Sequence, residues 1–281
     1  MFKVVIPARY ASTRLPGKPL LAIAGKPMLQ WVYERACAAQ ADEVLIATDD
    51  ERIAAAAREF VVPAHAGNIV MTAATHASGT DRIAEVARLR RWEEREIVVN
   101  VQGDEPMLPP QLIRQVAALL QQHARADVAT LATPIKSLAE FQDPNAVKLV
   151  ADSGQRALYF SRAPIPWHRD GASAGASVGT GTGAAPSVAP AQTQWQGARR
   201  HIGIYAYRVG ALQRMAALPP SQLEQIEKLE QLRALEAGFE FRVADGVVPP
   251  GPDVNTSADL ERVSALLVAS GLAVPGVFGR T

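Results

Sequence analysis

The sequence predicts an α/β fold with a mainly parallel sheet. Two observations carry that prediction. Short β-branched runs alternate with longer segments of helical period, and those runs are apolar on both faces, as a sheet covered by helices on each side requires. Residues 4–6 open the chain as a buried strand. Residues 28–39 place Leu29, Val32, Tyr33 and Ala36 at helical spacing and form the first helix. Residues 44–47 are the next strand. Segments 50–59, 80–90 and 109–123 read as further helices, with strands at 97–101 and 128–133. Beyond residue 135 the period loosens, and 146–150, 157–160 and 202–207 are the candidate strands of a smaller lobe. Residues 221–237 and 256–269 are late helices, the second opened by the Thr-x-x-Asp signal of Thr256 and Asp259. Residues 171–198 carry no charge and are rich in Gly, Ala, Ser, Thr and Pro, so a mobile loop is expected there.

Composition narrows the function classes. The 281 residues are 48% apolar and 20% charged, which excludes a disordered, collagenous or disulfide-framed chain. Lys plus Arg number 29 against 28 Asp plus Glu, so no global field favours nucleic acid or an anionic membrane. Any anion site must therefore be a local cluster. The lone Cys37 forms no internal disulfide and is expected as a small core residue in a reducing compartment. The opening MFKVVIPARY is broken by Pro7 and Arg9 and reads as neither a signal peptide nor a membrane span. A cytoplasmic protein is the expectation.

A cation cluster follows the first strand. In PARYASTRLPGKPL, residues 7–20, Arg9, Arg14 and Lys18 share a turn-rich loop leaving the carboxyl end of a parallel strand. Ligands of open α/β sheets bind at such ends, and cations beside free backbone N–H groups suit a polyphosphate. A solvated basic loop is the plainer alternative. Neither G-x-x-x-x-G-K-[ST] nor G-x-G-x-x-G is present. His65, His76, His123 and His168 form no metal spacing and are expected to be structural or exposed.

Further strings accompany that loop: GKPML at 25–29, ATDD at 47–50, HASGTDR at 76–82 and VNVQGDEPML at 99–108. NAVK at 145–148, ALYFSRAPIPW at 157–167, RHIGIYAYR at 200–208 and LEQLR at 229–233 complete the set. With them the chain resembles the 3-deoxy-D-manno-octulosonate (KDO) cytidylyltransferases over nearly its full length. The resemblance implies a Rossmann-like three-layer sandwich of the nucleotide-diphospho-sugar transferase kind, with a CTP-binding core at 1–135. It further implies a sugar-binding and dimerisation lobe at 136–250 and a C-terminal helix at 251–281 returning to the core. The implied reaction joins KDO to the α-phosphate of CTP, giving CMP-KDO and pyrophosphate for lipopolysaccharide synthesis. A homodimer is implied too.

The same resemblance assigns the site. Arg9, Arg14 and Lys18 are carried over as triphosphate contacts, with Ser78 and Arg82 near cytosine and ribose and Gln102 between nucleotide and sugar. Arg162, His201, Tyr205, Glu230 and Gln231 are carried over to the sugar acid, for which an Arg fork and several hydrogen-bonding groups suit a carboxylate and hydroxyls. Asp104 is the expected Mg²⁺ ligand, since a hard cation takes one or two carboxylates with substrate phosphates and water. Glu105 beside it is a weaker candidate. The family's second metal aspartate falls on Asn255 when the Thr256–Asp259 cap is kept in frame, with Asp253 as the alternative. That departure brings no charge to the metal and leaves open a CTP-binding homologue with reduced turnover; a cytidylyltransferase for another 2-keto sugar acid, such as 8-amino-KDO or a sialic acid, is the nearest enzymatic alternative.

Overall fold

Val4, Val5 and Ile6 are fully buried in the strand β1 (Lys3–Ala8), as an apolar run at the centre of a sheet must be. The structure is a computed structural model describing residues 1–11, 15–169 and 195–272. β1 pairs in parallel with β4 (Glu43–Thr48) on one side and β6 (Ile97–Asn100) on the other. β5 (Ile69–Met71) extends the sheet beyond β4, while β2 (Ala22–Ile23) and β3 (Lys26–Pro27) form a separate antiparallel pair. Beyond β6 the order continues through β10 (Arg199–Arg208), β7 (Val128–Pro134) and β11 (Phe241–Asp245). β10 runs antiparallel to both neighbours, while β11 is parallel to β7. The strands of 136–250 thus join the main sheet, with β8 (Lys148–Ala151) and β9 (Ala157–Ser161) as a hairpin on the end of β10.

Helices cover both faces. Even-numbered residues of β1, β4 and β10 pack with α1 (Met28–Cys37), α2 (Glu51–Arg58) and α4 (Pro110–Gln122). Odd-numbered residues of the same strands pack with α3 (Gly79–Leu89), α6 (Val209–Ala216) and α8 (Gln231–Glu236). This is the expected three-layer sandwich. A third small core joins α9 (Ser257–Ala269) to Ile23, Met28 and Trp31, whose indole donates to Ile23 O at 2.7 Å. Burying Val263 and Leu267 there contributes about 1.5–3 kcal/mol each and holds the segment before α9 against the sheet end. The capping box of Thr256 and Asp259 forms as expected.

Four expectations are corrected. Residues 221–237 are not one helix: α7 (Gln222–Glu227) ends at Lys228, which takes φ 53°, and α8 begins at Gln231. The break turns Glu230 toward α3, where two hydroxyls bind it, and that tertiary gain outweighs helix propensity. Cys37 is exposed, because Ala36 and Ala39 take the buried positions at the end of α1. The expected loop is ordered at its end, where Trp195 and the buried Ala198 pack with Ile135 and Phe141; residues 171–194 lie outside the described residues. α5 (Leu138–Gln142), α6, β5 and β11 fall outside the elements expected from the sequence.

Candidate active site

The crevice lies where strand order reverses, between the carboxyl ends of β1 and β6. A cleft of 470 Å³ there is lined by Pro7 and Ala8 at the end of β1, Arg9 and Lys18 in the loop that follows, Gln102, Gly103 and Asp104 after β6, and Asn255 before α9. Gly103 is needed at this crossing, since a Cβ would stand 3.1 Å from Pro7 O.

Lys18 is the hub of the cleft. Its Nζ donates to Asp104 Oδ2 at 2.8 Å and to Asn255 Oδ1 at 3.3 Å. It sits on a single 3₁₀ turn, Lys18–Leu20, entered through Gly17 at φ 67°. The loop before it is closed by Gly17 N–H to Tyr10 O at 3.1 Å. The Tyr10 ring lies 3.3 Å from the Arg52 guanidinium carbon, and Asp50 forks that guanidinium through both carboxylate oxygens. The sequence reading missed this Tyr10–Arg52–Asp50 brace, because Tyr10 is far from Asp50 and Arg52 in the chain. Arg9 is exposed and reaches Ala77 O at 3.4 Å; Arg14 lies outside the described residues.

Asn255 stands in the cleft and Asp253 behind it. The Asn255 amide donates to Asp253 Oδ2, which leaves its oxygen facing Lys18, and Val254 N–H donates to Asp104 O at 3.0 Å. Gly251 passes so near Met107 that a Cβ would overlap its carbonyl oxygen and lie 2.7 Å from its Cβ. Glu105 turns the other way, toward Gly203. Burial, reinforced by Asp104 and Asp253, pushes its carboxyl up to about 8. Among the described residues no cluster of three or more His, Cys, Asp or Glu side chains is arranged to hold a metal. One carboxylate and one amide oxygen converging on the same ammonium nevertheless fit a Mg²⁺ ion whose other ligands are phosphate oxygens and water.

A second cavity of 250 Å³ adjoins the first and shares Gln102 with it. His201, Tyr205, Glu230 and Gln231 line it, together with Thr80, Asn100, Tyr207 and Lys228, which the sequence reading missed. Tyr207 was legible, being two residues after Tyr205 on one strand face. Glu230 accepts from Ser78 Oγ at 2.8 Å and Thr80 Oγ1 at 3.1 Å, and burial raises its carboxyl. Ser78 thus binds Glu230 and caps α3. Desolvation, with Arg200 nearby, pushes the His201 imidazole down to about 3.

Besides Ser78, two further carried-over residues line neither cavity. Arg162 does not line either cavity: its guanidinium donates to Glu227 O at 2.7 Å and Pro144 O at 2.8 Å, clasping α7 to the β9 end. Arg82 is neither beside the cleft nor solvent-facing. It is fully buried, with Nη2 3.0 Å from Asp49 and a further bond to Thr72, so it ties β4 to the segment after β5. His76 pairs with Glu85, and His65 and His168 are exposed.

The family model for cytidylyltransferases matches residues 3–241. The chain belongs to the cytidylyltransferase family. Proteins named 3-deoxy-manno-octulosonate cytidylyltransferase from Thioalkalivibrio sulfidiphilus and Xanthomonas euvesicatoria are 51% and 55% identical to it. Those matches span 95% and 93% of this chain and 99% and 94% of theirs. A solved CMP:2-keto-3-deoxy-manno-octonic acid synthetase complexed with CTP superposes with a TM-score of 0.80 at 42% identity, over 96% of this chain and all of that one. A cytidylyltransferase from Leptospira borgpetersenii, 15% identical, shares the fold with a TM-score of 0.56. This cytidylyltransferase thus keeps its cation hub and its hydroxyl-lined cavity side by side, joined by Gln102.

Proposed function

We propose that the chain is a 3-deoxy-manno-octulosonate cytidylyltransferase, joining CTP and KDO to CMP-KDO and pyrophosphate in lipopolysaccharide synthesis. The observation that carries this reading is the pair of adjoining cavities: one built on Lys18 and Asp104 and suited to phosphates, the other on His201, Tyr205 and Glu230 and suited to a polyhydroxylated acid. The solved relative's CTP and the relatives' names support the same pair of substrates.

The anomeric oxygen of KDO attacks the α-phosphorus as the bond to the bridging oxygen of the β-phosphate breaks. The electron pair leaves with pyrophosphate, and the anomeric proton passes to solvent. Such a displacement needs positioning and charge neutralisation rather than covalent help. Arg9 and Lys18 supply cationic donors to the triphosphate, and Gln102 stands at the junction of nucleotide and sugar. Asp104 and Asn255 would hold Mg²⁺, which when bound supplies positive charge to the phosphate oxygens. Exposed Leu158, Trp167 and Ile226 on 136–250 support a homodimer formed through that region. We place the reaction in the cytoplasm; among the described residues no helix is long and apolar enough to cross a membrane.

Pyrophosphate release tests the reading across CTP, UTP and ATP and across KDO, 8-amino-KDO and a sialic acid. Rapid release is expected with CTP and KDO together with Mg²⁺. Preference for another sugar acid, or CTP binding without release, would overturn it.

A further inference from the structure

The second cavity contains a polar atom with nothing to bind. Asn100 ends β6, is 3% exposed and lines the cavity beside Gln102, His201 and Glu230, yet its Oδ1 has no hydrogen-bond partner. A buried carbonyl oxygen without a partner is costly, so its persistence in a cavity wall points to a ligand.

Ser78 and Thr80 each commit their single hydroxyl hydrogen to the Glu230 carboxylate, so neither has one to give to Asn100. Oδ1 is an amide oxygen and can only accept.

His201 obeys the same logic. Thr130 Oγ1 lies 2.7 Å from Ile204 O and 2.9 Å from His201 Nε2. The carbonyl can only accept, so the hydroxyl gives it its hydrogen and takes one from Nε2–H. Neutral His201 then keeps Nδ1 as an acceptor. The cavity thus carries two neutral acceptors of fixed orientation near an ionisable carboxyl, a wall complementary to hydroxyl donors.

We propose that Asn100 is a specificity-determining residue whose Oδ1 accepts a hydrogen bond from one hydroxyl of the bound sugar acid. This rests on the KDO reading of the cavity. The test is a substrate–variant cycle in the pyrophosphate-release assay. KDO and a set of monodeoxy analogues, each lacking one hydroxyl, are compared on the wild-type chain, Asn100→Leu and Asn100→Ser. Asn100→Leu is expected to raise the KM for KDO about tenfold with the KM for CTP within about twofold. One analogue is expected to lose about tenfold on the wild-type chain and less than about twofold on the variant. Asn100→Ser gives the same coupling with smaller losses and stands in if the leucine variant fails to fold. An equal penalty for every analogue on wild type and variants, or an unchanged KM for KDO, overturns the proposal while leaving the KDO reading intact. No release by the wild-type chain overturns that reading and this inference with it.

Discussion

Lowering the pH from 7 to 5 should unfold this protein more readily through His201. Packed against Phe160 at 5.2 Å and Tyr205 at 5.1 Å between ring centroids, the imidazole stays neutral in the folded state, pushed down to about 3. In the unfolded chain it takes its ordinary value of about 6.5. The folded state therefore binds fewer protons below pH 6.5, so stability is complete above that pH and is lost as the pH falls toward 3. Between pH 7 and 5 the loss reaches up to about 2 kcal/mol, equivalent to roughly 4–8 °C in melting temperature. Scanning calorimetry of the wild-type chain and of His201→Gln, whose amide still donates to Thr130 but does not titrate, isolates this contribution. The variant should lose distinctly less than the wild type over that interval. Parallel losses in the two proteins would mean that His201 protonates normally in the folded state and that the tautomer argument fails.

Glu105 works in the opposite sense. Its folded-state carboxyl is raised to about 8, so stability is complete below the ordinary carboxylate range and declines as the pH climbs toward 8; the melting temperature of Glu105→Gln should rise relative to wild type between pH 5 and 8. Asp104→Asn should cut pyrophosphate release by at least about a hundredfold while denaturant melts move by only about 1 kcal/mol, because Lys18 keeps Asn255 as a partner. Asn255→Asp should lower the Mg²⁺ concentration for half-maximal rate about tenfold, a gain of about 1.4 kcal/mol; an unchanged requirement would direct attention to Asp253. Gly251→Ala should destabilise by about 1–3 kcal/mol and depress turnover too, since the overlap with Met107 displaces the segment that carries Asn255.

What the sequence revealed follows from the range of the interactions. β1, β4 and β6 were legible because each is apolar on both faces, and α9 because its cap is local. The antiparallel insertion of β10 between β6 and β7 was not, since RHIGIYAYR specifies a strand but not its partners. The break at Lys228 was hidden because strong helix formers fill 222–236 and only the distant Ser78 and Thr80 favour turning Glu230 inward. Cys37 was misread because residue type was weighed above helical position. Within the site, Lys18, Gln102, Asp104 and Asn255 line one cavity, and Gln102, His201, Tyr205, Glu230 and Gln231 line the other. Arg82 and Arg162 line neither, because their guanidinium groups bind neighbouring elements of the fold.

Co-crystallisation with CTP and an unreactive KDO analogue examines the division of labour between the two cavities. The triphosphate should lie along Arg9 and Lys18 beside Asp104, with the sugar acid between Gln102, His201 and Glu230 and its anomeric carbon facing the α-phosphate. A nucleotide seated instead in the groove lined by Arg35, Gln111 and Arg114 would contradict it.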